Sequence, residues 1–189
     1  QAGQEAGLGR NAIMFVTAEN GPGSEPNAEQ TEVVEFFGSH GALRGYKRDL
    51  YEGGIRVPLI VSWPGHIRAG SVSAEPVYHP DFLPTAVGFS GYGRIYPDLD
   101  GVDISPILLG HSEIAQRYLY WETYEPSFWQ AARRGRWKAV KPIGGGNIQL
   151  FDLLRDPSET TDVSAENSKI VVDFVNYFKS GRTPSPNYI

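Results

Sequence analysis

Two short apolar runs in the first third of the chain predict strands. One is the run Ala-Ile-Met-Phe-Val-Thr at residues 12–17, and the other spans residues 57–63. Continuous apolar runs of this length are typical of strands that are buried on both faces of a parallel sheet. Ligands of open parallel sheets bind beyond the carboxyl ends of the strands, where Glu19 and Asn20 follow the first run. Asn-Gly-Pro is also a strong turn former, so a simple turn is the alternative.

The last third of the chain alternates aromatic and polar residues, which predicts an antiparallel sheet. Strands are expected at residues 118–124, 129–140 and 148–154. One helix is expected at about 166–180, because apolar residues recur there at helical spacing: Ile170, Val171, Phe174, Val175 and Phe178. A shorter helix is expected at residues 81–91, with a proline in its first turn and a glycine at its end.

These two patterns predict two domains. Residues 1–112 are expected to form the end of a doubly wound α/β sheet, and residues 113–189 a small α+β subdomain with an antiparallel sheet and one helix. The first part contains only two good candidates for parallel strands. Two such strands would leave apolar surface and unpaired edges exposed. The chain is therefore expected to be a portion of a larger domain rather than a complete one.

Composition and charge exclude several classes of protein. The formal net charge of -5 provides no basic field that could hold phosphates, which argues against a general nucleic-acid binder. No apolar run approaches the roughly 18 residues of a membrane span. The chain has no cysteine, so disulfides, thiolate metal sites and a cysteine nucleophile are excluded within these 189 residues.

A dense polar loop precedes the second predicted strand. It contains Lys47, Arg48, Asp49 and Glu52 and ends in the pair Gly53-Gly54. Adjacent glycines permit positive φ angles or the close approach of another backbone segment. A charged loop at the edge of a buried strand is a common location for binding residues. A surface loop whose charges pair with one another is the alternative.

A basic cluster lies in the predicted antiparallel sheet. It comprises Arg133, Arg134, Arg136, Lys138 and Lys141. Such a cluster could line a groove for an anionic substrate, but a solvated face of the strands is the favoured interpretation. His40, in the long loop before the polar stretch, is a further candidate for a substrate contact, although a single loop histidine is more often simply solvated.

Three segments together resemble the type I sulfatases of the alkaline phosphatase superfamily. The first is Phe-Val-Thr-Ala-Glu-Asn-Gly-Pro at residues 15–22, and the second is Gly-x-Lys-x-x-x-Tyr-Glu-Gly-Gly at residues 45–54. The third comprises Tyr-Leu-Tyr-Trp-Glu, Arg-Gly-Arg-Trp-Lys-Ala-Val and Leu-Phe-Asp-Leu-Leu-Arg-Asp-Pro-Ser-Glu in the last third. The segments occur in the expected order over nearly the whole chain. The resemblance implies an alkaline-phosphatase-like α/β fold and sulfate ester hydrolysis.

The resemblance also implies roles for individual residues. Asn20 and the preceding carboxylate, Glu19, would be oxygen ligands of a calcium ion, a hard cation that prefers such donors. Lys47 would contact the sulfate oxygens and neutralise charge as the S–O bond breaks. His40 and Arg44 are additional candidates on the substrate side. The implied substrate is a sulfated small molecule or a sulfated glycan, and the implied location is exported or lysosomal.

Two departures from the family pattern limit what this chain could do alone. Glu19 stands where the family has Asp, and the extra methylene moves the carboxylate. The nucleophile motif, Cys or Ser followed by x-Pro-x-Arg, is absent from the chain. The resemblance places the formylglycine nucleophile and the remaining metal ligands upstream, in an N-terminal part of the catalytic domain. The isolated chain is therefore expected to be inactive.

Two other functions stay open. The chain could be a non-catalytic module that binds sulfated glycans or a protein partner through its aromatic and basic last third; the missing nucleophile motivates this alternative. A hydrolase of the same superfamily could instead act on phosphate or phosphonate esters. The motif around Lys47 argues against that second alternative.

Overall fold

The computed structural model describes residues 11–23, 34–92, 98–111, 114–124, 128–142 and 146–184. Its strands are β1 (Met14–Thr17), β2 (Leu59–Ser62), β3 (Tyr118–Thr123), β4 (Trp129–Arg134), β5 (Trp137–Lys141) and β6 (Gln149–Asp152). Its helices are α1 (Glu52–Ile55), α2 (Phe82–Ser90), α3 (Ser105–Leu108) and α4 (Ser168–Ser180). Within the described residues, no helix has the length and apolar character that crossing a membrane requires.

Packing divides the chain into two compact units. The first contains the chain up to Thr17 together with Pro58–Gln116, and the second contains Ala18–Val57 together with Arg117–Ile189. The polar loop around Lys47 therefore packs in the same unit as the antiparallel sheet. The predicted domain boundary at residue 112 stays a prediction.

In the first unit, β1 and β2 pair with each other in antiparallel orientation, with Met14 opposite Ser62 and Thr17 opposite Leu59. The expectation of parallel strands is wrong for this pair. A parallel pair needs a crossover connection, usually a helix, whereas the segment between these strands belongs to the second unit. The apolar side chains of Met14 and Val16 are 63% and 51% exposed, which agrees with the expectation that two strands alone leave apolar surface uncovered.

Helix α2 confirms the short helix predicted at residues 81–91. It begins after a 3₁₀ turn at His79–Asp81 and ends at Gly91, whose φ of +66° suits the left-handed end of a helix. The ring of Phe82 packs on Phe15 of β1, with 5.2 Å between the ring centroids. Buried Thr85 accepts a hydrogen bond from the backbone N–H of Ile104 at 3.0 Å and so ties α2 to the start of α3.

In the second unit, β3 to β6 form one sheet in which each strand pairs antiparallel with the next along the chain. The sequence predicted three strands here, and the stretch 129–140 in fact forms two. Gly135 has a φ of +57° and begins a two-residue turn, after which Trp137 pairs with Arg134. Because glycine adopts positive φ without a steric penalty, the chain reverses at this point and makes a hairpin.

The two faces of this sheet are covered by different parts of the chain. Helix α4 packs on one face, where Phe174 and Phe178 contact Ala132, Ala139 and Leu150. The opposite face is covered by Leu50 and Tyr51, which precede α1 and pack on Val140 and Phe151. Since successive residues of a strand point to opposite faces, Val140 and Ala139 serve different clusters. The polar loop is thus anchored to the sheet by its own apolar residues.

Phe174→Ala is expected to destabilise the protein by about 3–5 kcal/mol, because the side chain is 1% exposed and its removal leaves a cavity under α4. Val172→Ala is the matched control on the same helix; that side chain is 54% exposed, and the change should stay within about 0.5 kcal/mol. Urea unfolding followed by circular dichroism measures both values. Equal losses for the two variants would contradict the packing described.

Candidate functional site

Two of the motifs that the sequence analysis singled out are joined by backbone hydrogen bonds. The N–H of Gly21 donates to the carbonyl of Gly54 at 2.8 Å, and the N–H of Lys47 donates to the carbonyl of Pro22 at 2.9 Å. The turn that follows β1 is therefore fixed against the polar loop. This arrangement brings Glu19 and Asn20 into the same region of the molecule as Lys47.

Glycines make this close approach possible. A Cβ atom on Gly21 would lie 1.8 Å from the carbonyl oxygen of Gly53, and one on Gly53 would lie 2.5 Å from the carbonyl oxygen of Arg44. A Cβ on Gly54 would lie 2.3 Å from the carbonyl oxygen of Tyr46. No side chain fits at these distances. Of the two roles that the sequence allowed for the double glycine, close backbone approach is the one that the structure uses.

Local hydrogen bonds hold the Lys47 loop in shape. A carboxylate oxygen of Asp49 accepts the N–H of Tyr46 at 3.0 Å, and the N–H of Asp49 donates to the carbonyl of Tyr46 at 2.8 Å. Arg48 has a φ of +84°, a left-handed conformation that costs a residue with a side chain about 1–2 kcal/mol. The Lys47 side chain is exposed, and none of the described carboxylates forms an ion pair with its ammonium group. Its charge is therefore available to an anion.

Glu19 and Asn20 are suited to a calcium ion in kind but not in number. Both side chains offer oxygen atoms, and among the described residues neither of them has a hydrogen-bond partner. Calcium takes 6–8 oxygen ligands, so two adjacent residues supply only part of a site. Over the ranges that the structure describes, no group of three or more His, Cys, Asp or Glu side chains is placed to hold a metal ion.

His40 and Arg44, the other predicted substrate contacts, each have partners within the protein. Nδ1 of His40 lies 2.9 Å from the carbonyl oxygen of Leu43, and its ring packs edge-on against Tyr46. The guanidinium of Arg44 lies 3.7 Å from the centre of the Tyr51 ring and donates to the carbonyl of Glu159 at 3.1 Å. These contacts support the shape of the loop, and a substrate role for either residue stays a prediction.

Beneath the Lys47 loop, three charged side chains form a buried ion cluster: Glu52, Lys138 and Glu159. The Lys138 ammonium lies 3.0 Å from one oxygen of Glu52 and 2.8 Å from one oxygen of Glu159. The other oxygen of Glu159 accepts the backbone N–H of Glu52 at 2.6 Å. Burial raises the pKa of the Glu159 carboxyl group above its ordinary value, and the Lys138 charge acts in the opposite direction.

Local sequence patterns do not reveal this cluster. The prediction that Lys138 lies on a solvated face of the strands is wrong, because Lys138 is completely buried. In the sequence, Glu52 stands out only as one charge of the polar loop, and Glu159 belongs to none of the predicted site motifs. Strand alternation could have predicted that Lys138 is buried, because Lys138 and the buried Val140 are two residues apart and therefore lie on the same face of the sheet.

Other members of the basic cluster are also engaged. The Arg136 guanidinium pairs with Asp152, and the Lys141 ammonium lies 3.3 Å from the side-chain oxygen of Gln130. Several of the basic side chains that were expected to line an anion groove in this sheet are therefore buried or already paired. The positive charge that is free to meet an anion is better placed at Lys47.

Comparison with known proteins relates this chain to one family. A family model described as Sulfatase matches residues 4–92. The chain is 36% identical over 138 residues to arylsulfatase A of Bos taurus, an alignment that covers 71% of this chain and 26% of that protein. The chain thus spans about a quarter of the length of this curated relative.

Solved structures confirm the alkaline-phosphatase-like α/β fold. One, from work on glycosaminoglycan metabolism by Bacteroides thetaiotaomicron, superposes with a TM-score of 0.77 at 22% identity and covers 94% of this chain and 40% of its own. Another was solved in complex with its substrate D-glucosamine-2-N,6-O-disulfate. It has a TM-score of 0.70 at 22% identity and covers 94% of this chain and 36% of its own.

Gly21→Ala is expected to separate the turn after β1 from the Lys47 loop, because the new methyl group overlaps the Gly53 carbonyl. Overpacking of this kind costs about 1–3 kcal/mol and should accelerate hydrogen exchange at the Lys47 amide. Gly23→Ala is the matched control, since its Cβ would lie an ordinary 3.9 Å from the Lys47 side chain. Unchanged exchange at Lys47 in Gly21→Ala would show that the two segments are not coupled.

Proposed function

We propose that the chain, whose residues 4–92 match the Sulfatase family model, belongs to the sulfatase family and forms the part of a sulfuric ester hydrolase that contacts the sulfate group. The observation that carries this proposal is the hydrogen bond from the Lys47 N–H to the Pro22 carbonyl. It fixes a lysine beside the turn that bears Glu19 and Asn20, and no ion pair of its ammonium group is found among the residues that the structure describes. The backbone segments that bear a point charge and two candidate oxygen ligands are thereby joined.

In this proposal Lys47 acts on the sulfate group itself. Its ammonium donates hydrogen bonds to the sulfate oxygens and neutralises negative charge as the S–O bond breaks. The loop holds the lysine in place before the substrate arrives, because the backbone of Lys47 is bound to Pro22 and the chain on either side is fixed by Asp49 and Arg44. A group that is preorganised in this way needs little rearrangement during the reaction.

Glu19 and Asn20 would contribute oxygen ligands to one calcium ion. When bound, calcium supplies positive charge that holds the sulfate group and the nucleophile together. The remaining ligands and the nucleophile, a formylglycine in this proposal, would come from the N-terminal part of the catalytic domain in a longer parent protein. The 189 residues alone would therefore be inactive. The two oxygen-bearing side chains fit the donor preference of calcium.

The substrate would be a sulfate ester of a small molecule or a glycan. The structural neighbour bound to D-glucosamine-2-N,6-O-disulfate supports a sulfated sugar as one member of this class. A non-catalytic module that binds sulfated glycans through its basic sheet is less well supported, because Lys138 is buried and Arg136 pairs with Asp152.

Lys47→Ala in the longer parent protein is expected to lower kcat/KM for an aryl sulfate by about 10²–10³, the usual effect of removing one group that stabilises charge in the transition state. Lys179→Ala, an exposed lysine at the end of α4, is the control and should leave kcat/KM unchanged. Sulfate release measures both. Activity on an aryl phosphate but not on an aryl sulfate would replace this proposal with the phosphate ester alternative.

Asn20→Ala and Glu19→Gln are each expected to weaken calcium binding to the parent protein by at least about tenfold, since even groups outside the ligand shell alter metal affinity by 10–100-fold. Glu19→Asp should preserve binding because it restores a shorter carboxylate. Isothermal titration with calcium measures the affinities, and the exposed Glu166→Gln is the control. If Glu19→Gln binds calcium as tightly as the unaltered protein, Glu19 is not a ligand.

A further inference from the structure

The Lys47 loop is held at both of its ends by one distant residue, Glu159. At the start of the loop, the Glu159 carbonyl accepts a hydrogen bond from the Arg44 guanidinium at 3.1 Å. At its end, the Glu159 carboxylate accepts the N–H of Glu52 at 2.6 Å. Seven residues of chain, 45–51, lie between these two contacts, and Lys47 is among them.

Glu159 is itself fixed in an unusual backbone conformation. Its φ is +53°, a region that residues with a side chain seldom adopt. Asp156 stabilises this turn, because its carbonyl accepts the N–H of Glu159 at 3.2 Å and its carboxylate accepts the N–H groups of Thr160 and Thr161, each at 2.8 Å. Such conformations persist where the surroundings over-determine them and cluster at sites where geometry matters.

The positive charge of Lys138 compensates the two buried carboxylates. Two carboxylates, Glu52 and Glu159, are buried side by side, and burying charges is costly unless they are paired. The Lys138 ammonium lies within 3.0 Å of both. Arg133 lies 3.7 Å from the second oxygen of Glu52. A buried ion pair often adds little to the free energy of unfolding, because desolvation of the charges offsets their attraction. Its main contribution here is to fix the positions of the groups that it joins.

The hydrogen bond that fixes Glu52 is linked to the Lys47 loop through Gly53 and Gly54. Glu52 begins α1, and the next two residues bind two segments that lead to Lys47. The N–H of Gly53 donates to the Arg44 carbonyl at 2.7 Å, and the Gly54 carbonyl accepts the N–H of Gly21 at 2.8 Å, next to the Pro22 whose carbonyl accepts the N–H of Lys47. A shift of Glu52 would therefore displace both the start of the Lys47 loop and the turn on which Lys47 rests.

We propose that Glu159 and Lys138 are positioning residues for Lys47, supplied by the antiparallel sheet and the turn that follows it. This inference rests on the proposed function, in which Lys47 contacts sulfate. The C-terminal sheet is then part of the catalytic apparatus although none of its residues needs to touch the substrate. Without Glu159 the ammonium of Lys47 loses its preset location, and the rate falls because misplacement of about 1 Å can cost 10²-fold.

Two double variants of the parent protein separate positioning from stability. Glu159→Ala with Lys138→Met, and Glu159→Gln with Lys138→Met, both remove the two buried charges, and Glu52 retains Arg133 nearby. They differ at residue 159: the Gln side chain fills the space of the glutamate and still offers an oxygen to the Glu52 N–H, whereas Ala does neither. Any difference between them reports on the contact that closes the loop.

The Ala double variant is expected to exchange the Lys47 amide proton about tenfold faster or more, and to lose at least about tenfold in kcat for an aryl sulfate. The Gln double variant should stay within about threefold of the unaltered protein in both measurements. Phe174→Ala is the control, because it destabilises the same sheet from its other face and should leave kcat per folded molecule unchanged.

Equal behaviour of the two double variants would overturn the proposal, as would failure of both to fold, since the cluster would then serve the stability of the sheet. A loss of kcat in Phe174→Ala as large as in the Ala double variant would also overturn it. The proposed function fails separately: in that case Lys47→Ala retains full sulfate release. If Lys47→Ala is inactive and the double variants match each other, only the positioning proposal is lost.

Discussion

The buried contact among Glu52, Lys138 and Glu159 is the constraint on which the described site depends. It joins a loop, a strand and a turn that are far apart along the chain, and the two buried carboxylates are compensated by the Lys138 ammonium that lies between them. If the loop that bears Lys47 left the sheet, the Lys138 ammonium would lose one of its two carboxylate partners, and the Glu159 carboxylate would lose the N–H of Glu52. The same buried contact therefore attaches the loop to the sheet and stabilises the sheet itself.

Above this contact, the site is built from backbone rather than from side chains. Glycines at positions 21, 53 and 54 let three chain segments approach to distances that no Cβ atom allows. The backbone of Lys47 and that of the turn after β1 are consequently joined directly. The joint between these segments does not use the side chains of Glu19, Asn20 or Lys47, since its hydrogen bonds are made by amide and carbonyl groups.

Much of the fold could be predicted from local patterns. The helical spacing of Phe174 and Phe178 predicted α4, and aromatic alternation predicted the sheet. The prediction failed where a single residue reverses the chain: Gly135 splits one expected strand into a hairpin. It also failed for β1 and β2, because an apolar run predicts a strand but not the direction in which its neighbour runs.

By itself the sequence determined the family motifs, the position of Lys47 and the residues that precede and follow β1, because these features are local in the chain. Only the tertiary structure decided what supports them. The hydrogen bond from Lys138 to Glu52 spans 86 residues, and the one from Glu52 to Glu159 spans 107. Whether a charged residue is solvated or buried depends on which distant partner covers its face, and no local pattern contains that information.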